Sequence, residues 1–126
     1  MLLVREKING LWTLPGGWVD PNETPREAVV REVMEESGYE VRAEKLLALF
    51  DRSRHGHHPP HPYGVFKLFI RCRLMGGNAK DSLETEEASF LGEDEIPELS
   101  LDRVTGPQIT RMFEHLRHPE WPTVLD

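Results

Sequence analysis

The sequence predicts one α+β domain. Three observations carry that prediction: a helix punctuated at both ends, strand-like runs on either side of it bounded by turn residues, and the absence of any internal repeat, linker or low-complexity tract across residues 1–126. A chain of this length buries a core without disulfide staples, so one domain suffices.

The helix is the clearest element. Thr24-Pro25-Arg26-Glu27 offers a capping box, with Thr24 as N-cap, Pro25 at the first helical position and Glu27 three residues after the cap. Helix-compatible residues run to Ser37, and Gly38 stands where a left-handed C-cap glycine is expected. Before the helix, Leu2–Arg5 reads as a short strand, Asn9-Gly10 as a turn and Leu11–Leu14 as extended chain that Pro15-Gly16-Gly17 breaks. After it, Tyr39–Phe50 alternates as one strand or two, 51–62 is a loop dense in His and Pro, and 63–74 is the longest strand candidate, ended by Gly76-Gly77-Asn78. Residues 83–95 are acidic around Phe90-Leu91. Pro107–Arg117 has helical spacing through Ile109, Met112, Phe113 and Leu116, and 121–125 reads as a tail.

Charge and cysteine count narrow the function classes. The net charge is −7, with 22 acidic against 15 basic residues, which argues against wrapping duplex nucleic acid. An acidic protein that handles phosphates needs a cation to mediate the contact, so the balance favours a metal site. The lone Cys72 has no internal disulfide partner; it reads as a strand residue in a reducing, cytoplasmic setting. No apolar run approaches a membrane span, and the N-terminus is charged too early for a signal peptide.

At 100° per residue, Glu32, Glu35 and Glu36 fall within one arc of about 100°, beside an apolar arc of Val29, Val30, Val33 and Met34. One flank can pack on a sheet while the next presents three carboxylates, the hard oxygen ligands that Mg²⁺ or Mn²⁺ prefer. Taken alone, such a face is ordinarily a solvated acidic surface. The spacing around it changes that reading. Gly17 is followed by five residues and Glu23, then seven residues and Arg31-Glu32-Val33, one residue, Glu35-Glu36, one residue, and Gly38-Tyr39. From average composition a chance match is on the order of one in ten million.

This pattern resembles the Nudix box, with Tyr39 in place of the usual aliphatic residue as the one departure. The resemblance extends upstream through residues 12–17 and downstream through 87–91 and 94–99. It implies a Nudix-type α/β/α sandwich with a mixed sheet, and a pyrophosphohydrolase activity on acid anhydrides. It implies Glu35 and Glu36 as principal metal ligands, Glu32 as a further ligand or proton acceptor, and the Gly16 carbonyl as a metal contact. Glu23 and Arg31 match an orienting pair, and Gly17 and Gly38 the loop–helix–loop geometry. Glu87, with Glu84 and Glu86 beside it, is the alternative general base. The implied cofactor is Mg²⁺ or Mn²⁺. The implied reaction is in-line water attack at phosphorus on a nucleoside-diphosphate-linked substrate such as ADP-ribose or CDP-choline.

Other features leave alternatives open. Four histidines between 55 and 61 suggest a transition metal or, better, a loop over the active site, with Arg52 and Arg54 as phosphate contacts. Trp12, Trp18, Phe50, Tyr63 and Phe66 either stack on a base or serve the core or a dimer contact. The usual first strand and turn of such domains are missing before Leu2–Arg5, as is an N-terminal helical region common in the subgroup. The chain is then either a truncated product or a homodimer whose partner covers the open strand edge. Two further functions stay in view: house-cleaning of nucleoside triphosphates or trimming of RNA 5′ ends, and a nucleotide-binding module without catalysis.

Overall fold

The computed structural model describes residues 1–126 and has a mixed α+β architecture. In chain order the elements are β1 (Leu2–Glu6), β2 (Trp12–Thr13), α1 (Pro25–Ser37), β3 (Tyr39–Asp51), β4 (Phe66–Gly77), β5 (Thr85–Phe90), α2 (Gly106–Arg117) and β6 (Val124–Leu125). They form two three-stranded sheets, ordered β2-β1-β5 and β4-β3-β6. The first is antiparallel; the second is mixed, with β4 antiparallel and β6 parallel to β3. The α+β class and the mixed sheet expected from the sequence are both present. No helix is long and apolar enough to cross a membrane.

The α1 boundaries follow the capping chemistry. Thr24 Oγ1 accepts the Glu27 N–H at 3.1 Å, and Glu27 Oε1 accepts the Thr24 N–H at 3.1 Å. At the other end Gly38 has φ 82° and donates to the Met34 carbonyl. A β-carbon on Gly38 would also strike the Asn78 carbonyl oxygen, because the chain leaving β4 lies directly against this cap. Asn78 N–H donates to the Gly38 carbonyl and Lys80 N–H to the Ser37 carbonyl, which binds that chain to the end of α1.

The core gathers Leu47, Ala48 and Phe50 of β3, Phe69 of β4, Val104, and Ile109 and Met112 of α2. On α1 the buried residues are Ala28, Val33, Glu36 and Ser37, while Met34 is exposed. The packed stripe is therefore rotated from the expected Val29–Val30–Val33–Met34 arc, and it takes Glu36 inside.

Two sequence expectations are corrected, and the choice between one strand and two after α1 is resolved. Tyr39–Asp51 is one strand, whose bulges against β4 disturb its alternation. The 121–125 tail contains β6. Its two residues are too few for a sequence signal, and they are held by contacts from distant β3: Lys45 Nζ to the Trp121 carbonyl (2.6 Å), Thr123 Oγ1 to the Leu46 carbonyl (2.7 Å) and Asp126 N–H to the Leu49 carbonyl (3.2 Å). Finally, β1 is the central strand of its sheet, with β2 on one side and β5 on the other. The edge of β1 that motivated a homodimer is covered by β2 at Val4 and Arg5.

Substituting each end of α1 separates the two caps. Thr24→Ala is expected to destabilise by about 1 kcal/mol. Gly38→Ala should cost more, roughly 2 kcal/mol or above, because left-handed strain adds to a backbone clash. Urea denaturation of both variants checks this, and equal stability of Gly38→Ala and wild type would contradict it.

Candidate active site on helix α1

The three carboxylates of α1 sit at graded depth. Glu36 is buried at 4% exposure, Glu32 is half-buried and Glu35 is exposed. The gradation follows from the stripe rotation: Glu36 shares the buried side with Val33, and Glu35 turns to solvent.

Glu36 is the unusual group. Its Oε2 accepts the Gly16 N–H at 3.0 Å, and its Oε1 lies 3.9 Å from the Arg103 guanidinium. Burial pushes its pKa up to about 7, and the Glu32 and Glu84 charges add to the rise; Arg103 and the Gly16 N–H pull the other way without cancelling it. The site is therefore short of positive charge at its deepest point.

Arg31 organises the outer part. Its guanidinium grips Glu23 through two bonds of 2.7 and 2.8 Å, reaches Glu32 Oε1 at 2.9 Å and Glu35 Oε2 at 3.2 Å, and donates to the Trp18 carbonyl at 3.3 Å. This fork holds the Glu23 pKa down to about 2, chiefly by the Arg31 hydrogen bond, and raises that of Arg31 in return. A carboxyl depressed in this way supports folding above its ordinary value of 4.5 and loses that support as pH falls toward 2. Gly17 packs against Glu32: a β-carbon there would come within 2.7 Å of Glu32 Oε1 and displace that carboxylate from its place beside Arg31. Glu23, Arg31 and both box glycines thus stand together around α1.

Arg103 is the residue that sequence reading misses. It reaches in from the segment before α2 and donates to the Gly16 carbonyl, lies 3.4 Å from Glu6 Oε2, and faces Glu36. Its own backbone is fixed from below. Lys67 of β4 donates to the Arg103 carbonyl, and Arg52 binds the neighbouring Asp102 through the carboxylate at 2.8 Å and the carbonyl at 3.0 Å. No local pattern announces this arginine, since all its partners are distant in sequence.

The 84–87 stretch divides. Glu87 lies opposite Arg5 in the β1–β5 ladder, 3.7 Å from its guanidinium, and Glu86 pairs with the same arginine at 2.9 Å. Glu84 is the member whose charge acts on Glu36. The β1–β5 bulge at Arg5/Glu6 redirects these side chains, and a bulge is not visible in the sequence.

The two loop arginines also divide. Arg52 is buried at 6% exposure and engaged with Asp102 and the Pro59 carbonyl, so it supports the loop rather than facing open solvent. Arg54 stays open, its side chain 74% exposed and 3.9 Å from Asp51. The histidines disperse as well: His55 pairs with Asp126 at 2.7 Å, and buried His57 bridges the Leu101 carbonyl and the Gln108 amide.

The donor chemistry suits a hard divalent cation: three carboxylates and a backbone carbonyl, with the deepest carboxylate under-neutralised. The same groups are held by Arg31 and Arg103 here, and no three His, Cys, Asp or Glu side chains converge on one point.

Two measurements follow. In chelator, wild-type stability should fall as pH rises from about 4.5 to about 7, because the folded protein holds a proton on Glu36 that the unfolded chain releases; the loss is on the order of 3 kcal/mol. Glu36→Gln should lack that component, and parallel stability–pH curves for the two proteins would refute it. Separately, Arg52→Ala should cost about 2 kcal/mol or more, whereas Arg54→Ala should stay within roughly 0.5 kcal/mol of wild type. Thermal denaturation distinguishes them, and the reverse order would overturn the assignment.

Comparison with known proteins places this geometry. The family model described as NUDIX domain matches residues 1–113. The chain is similar to the Bacillus subtilis (strain 168) protein named "Putative ADP-ribose pyrophosphatase YjhB", with 44% identity over the whole chain and 60% of that relative. Among solved structures it is similar to an ADP-ribose pyrophosphatase from Streptococcus suis 89-1591, with TM-score 0.88, 38% identity, and coverage of 99% of this chain and 88% of that one. A UDP-X diphosphatase aligns with TM-score 0.88 and 30% identity over 99% of this chain and 60% of its own. The chain spans between 58% and 60% of the length of the first curated relatives it matches. Box, fold and family model agree, and the chain belongs to the NUDIX domain family.

Proposed function

We propose that this chain hydrolyses the diphosphate bond of a nucleoside-diphosphate-linked substrate such as ADP-ribose or CDP-choline. The observation that carries this reading is the carboxylate face of α1, with Glu36 buried against the Gly16 N–H and Arg103, and Glu32 and Glu35 held by Arg31. The similarity to proteins named for ADP-ribose pyrophosphatase and UDP-X diphosphatase activity supports the substrate class.

Glu32, Glu35, Glu36 and the Gly16 carbonyl would hold Mg²⁺ or Mn²⁺. When bound, the ion neutralises diphosphate charge, polarises the phosphoryl oxygen and lowers the pKa of a coordinated water. The chain's own residues do the rest. Arg31 fixes the direction of Glu32 and Glu35, and Glu23 fixes Arg31. Arg103 sets the Gly16 carbonyl and faces Glu36, so it is a positioning residue. A carboxylate takes the proton of the attacking water; Glu32 and the 84–87 stretch supply the candidates. Within that stretch Glu86 and Glu87 pair with Arg5 and Glu84 does not, so Glu84 is the favoured candidate. Arg54, the open arginine of the loop, is the better candidate to meet a substrate phosphate, with Arg52 acting as its support.

A hydrolysis screen of nucleotide conjugates and nucleoside triphosphates with Mg²⁺ and Mn²⁺ tests the reading. Diphosphate-linked conjugates should turn over, chelator should abolish turnover, and Glu35→Gln should lower kcat by about 100-fold or more. Equal turnover in wild type and Glu35→Gln would overturn the mechanism. Turnover of triphosphates alone would move the function to nucleotide house-cleaning, and no turnover of any compound would favour a binding module.

A further inference from the structure

We propose that Trp18, His61 and Tyr63 form the subsite that receives the nucleobase of the substrate. The inference rests on the diphosphatase reading and adds which side chains meet the base.

Trp18 is anchored at the rim of the carboxylate site. It follows Gly17, where a β-carbon would meet the Glu32 carboxylate, and its carbonyl accepts from Arg31 at 3.3 Å. Its indole is nonetheless 67% exposed. From the His-rich loop, His61 brings its ring to 5.8 Å from Trp18 at 59°, and Tyr63 lies 5.7 Å from His61 at 54° and is 76% exposed. His61 Nδ1 accepts the Tyr63 N–H at 3.2 Å, which fixes the two relative to each other.

Two loops far apart in sequence therefore converge on one aromatic patch beside the carboxylates, although neither ring serves the core. The rings are inclined to one another rather than stacked, so their faces are not covering each other. Every base has a π-face, and aromatic side chains bind it without needing a specific hydrogen-bond pattern. His61 and Tyr63 also line a cavity of about 260 Å³ with Ser53 and His57, which gives a base edge a polar wall. Of the other aromatic residues, Phe50 packs in the core and Trp121 lies flat on His118 at 4.5 Å and 8°, while Phe66 is 70% exposed but pairs with none of these rings. The larger cavity, about 640 Å³ along α2, is lined by none of Trp18, His61 and Tyr63.

The test uses the full chain with Mg²⁺ and three probes: AMP, UMP and ribose 5-phosphate. Indole fluorescence should respond to a nucleotide and not to ribose 5-phosphate. Trp18→Ala and Tyr63→Ala should each weaken nucleotide binding by on the order of 10-fold and raise KM similarly, with kcat within about 2-fold; Trp18→Phe should restore binding. Both residues are exposed, so these variants keep the fold. Nucleotide and ribose 5-phosphate bound alike, or alanine variants with wild-type affinity, would overturn the subsite. If no diphosphate is hydrolysed yet the alanine variants lose nucleotide binding, the subsite stands and the diphosphatase reading falls. Turnover with an unmoved KM in both variants means the opposite.

Discussion

Folding a carboxylate into the interior is the constraint around which this domain is arranged. Glu36 lies on the packed side of α1, where a charge is stable only if dipoles and opposite charges surround it. The Gly16 N–H and the Arg103 guanidinium answer that need in part. Each drags a segment with it: Gly16 the turn that precedes α1, and Arg103 the chain that enters α2. Thr85, at the start of β5, hydrogen-bonds the Glu36 carbonyl at 2.6 Å, so a third segment is fixed at the same residue. Three distant segments are thus tied to one helical turn.

The spacing of the box then has a mechanical reading. The loop between Gly17 and Thr24 must return so that Glu23 meets Arg31 on the second turn of α1, and the two-pronged bond between them closes it. Once closed, the loop brings Gly17 against Glu32, where a β-carbon would displace the carboxylate. The same arginine then spans Glu32 and Glu35. A lysine would supply one point charge and no fork, so it would hold neither the loop nor the pair in register.

What the sequence made legible was the part built from short-range rules. The caps at Thr24 and Gly38, the carboxylate arc and the Glu23–Arg31 pair are all set by helix periodicity and nearby spacing. What stayed hidden depends on long-range pairing. Arg103 meets Gly16 from 87 residues away, Arg52 meets Asp102 from 50, and β6 is two residues held by a strand far upstream. The rotation of the α1 stripe belongs with these: four valine and methionine positions looked like the packing side, but β3 and β5 select the side that contains Ala28, Val33 and Glu36. Hydrophobicity alone does not reveal that a glutamate is inside.

The His-rich loop shows the same division at the level of function. Composition groups its histidines as one feature, yet the fold gives them separate tasks: His55 closes on Asp126, His57 seals the α2 interface through Gln108, and His61 joins the exposed aromatic patch. Arg52 and Arg54, two positions apart, diverge likewise into a buried support and an open cation. The box residues carry their roles in their spacing because one helix and its two flanking turns hold nearly all of them. The residues that face the rest of a substrate are brought to the rim by loops, whose side-chain directions are decided by contacts with Leu101, Asp102 and Gln108 on another part of the chain. The box is therefore readable from a short pattern, while the surroundings of its carboxylates become readable only when the fold shows which loop residues remain uncommitted.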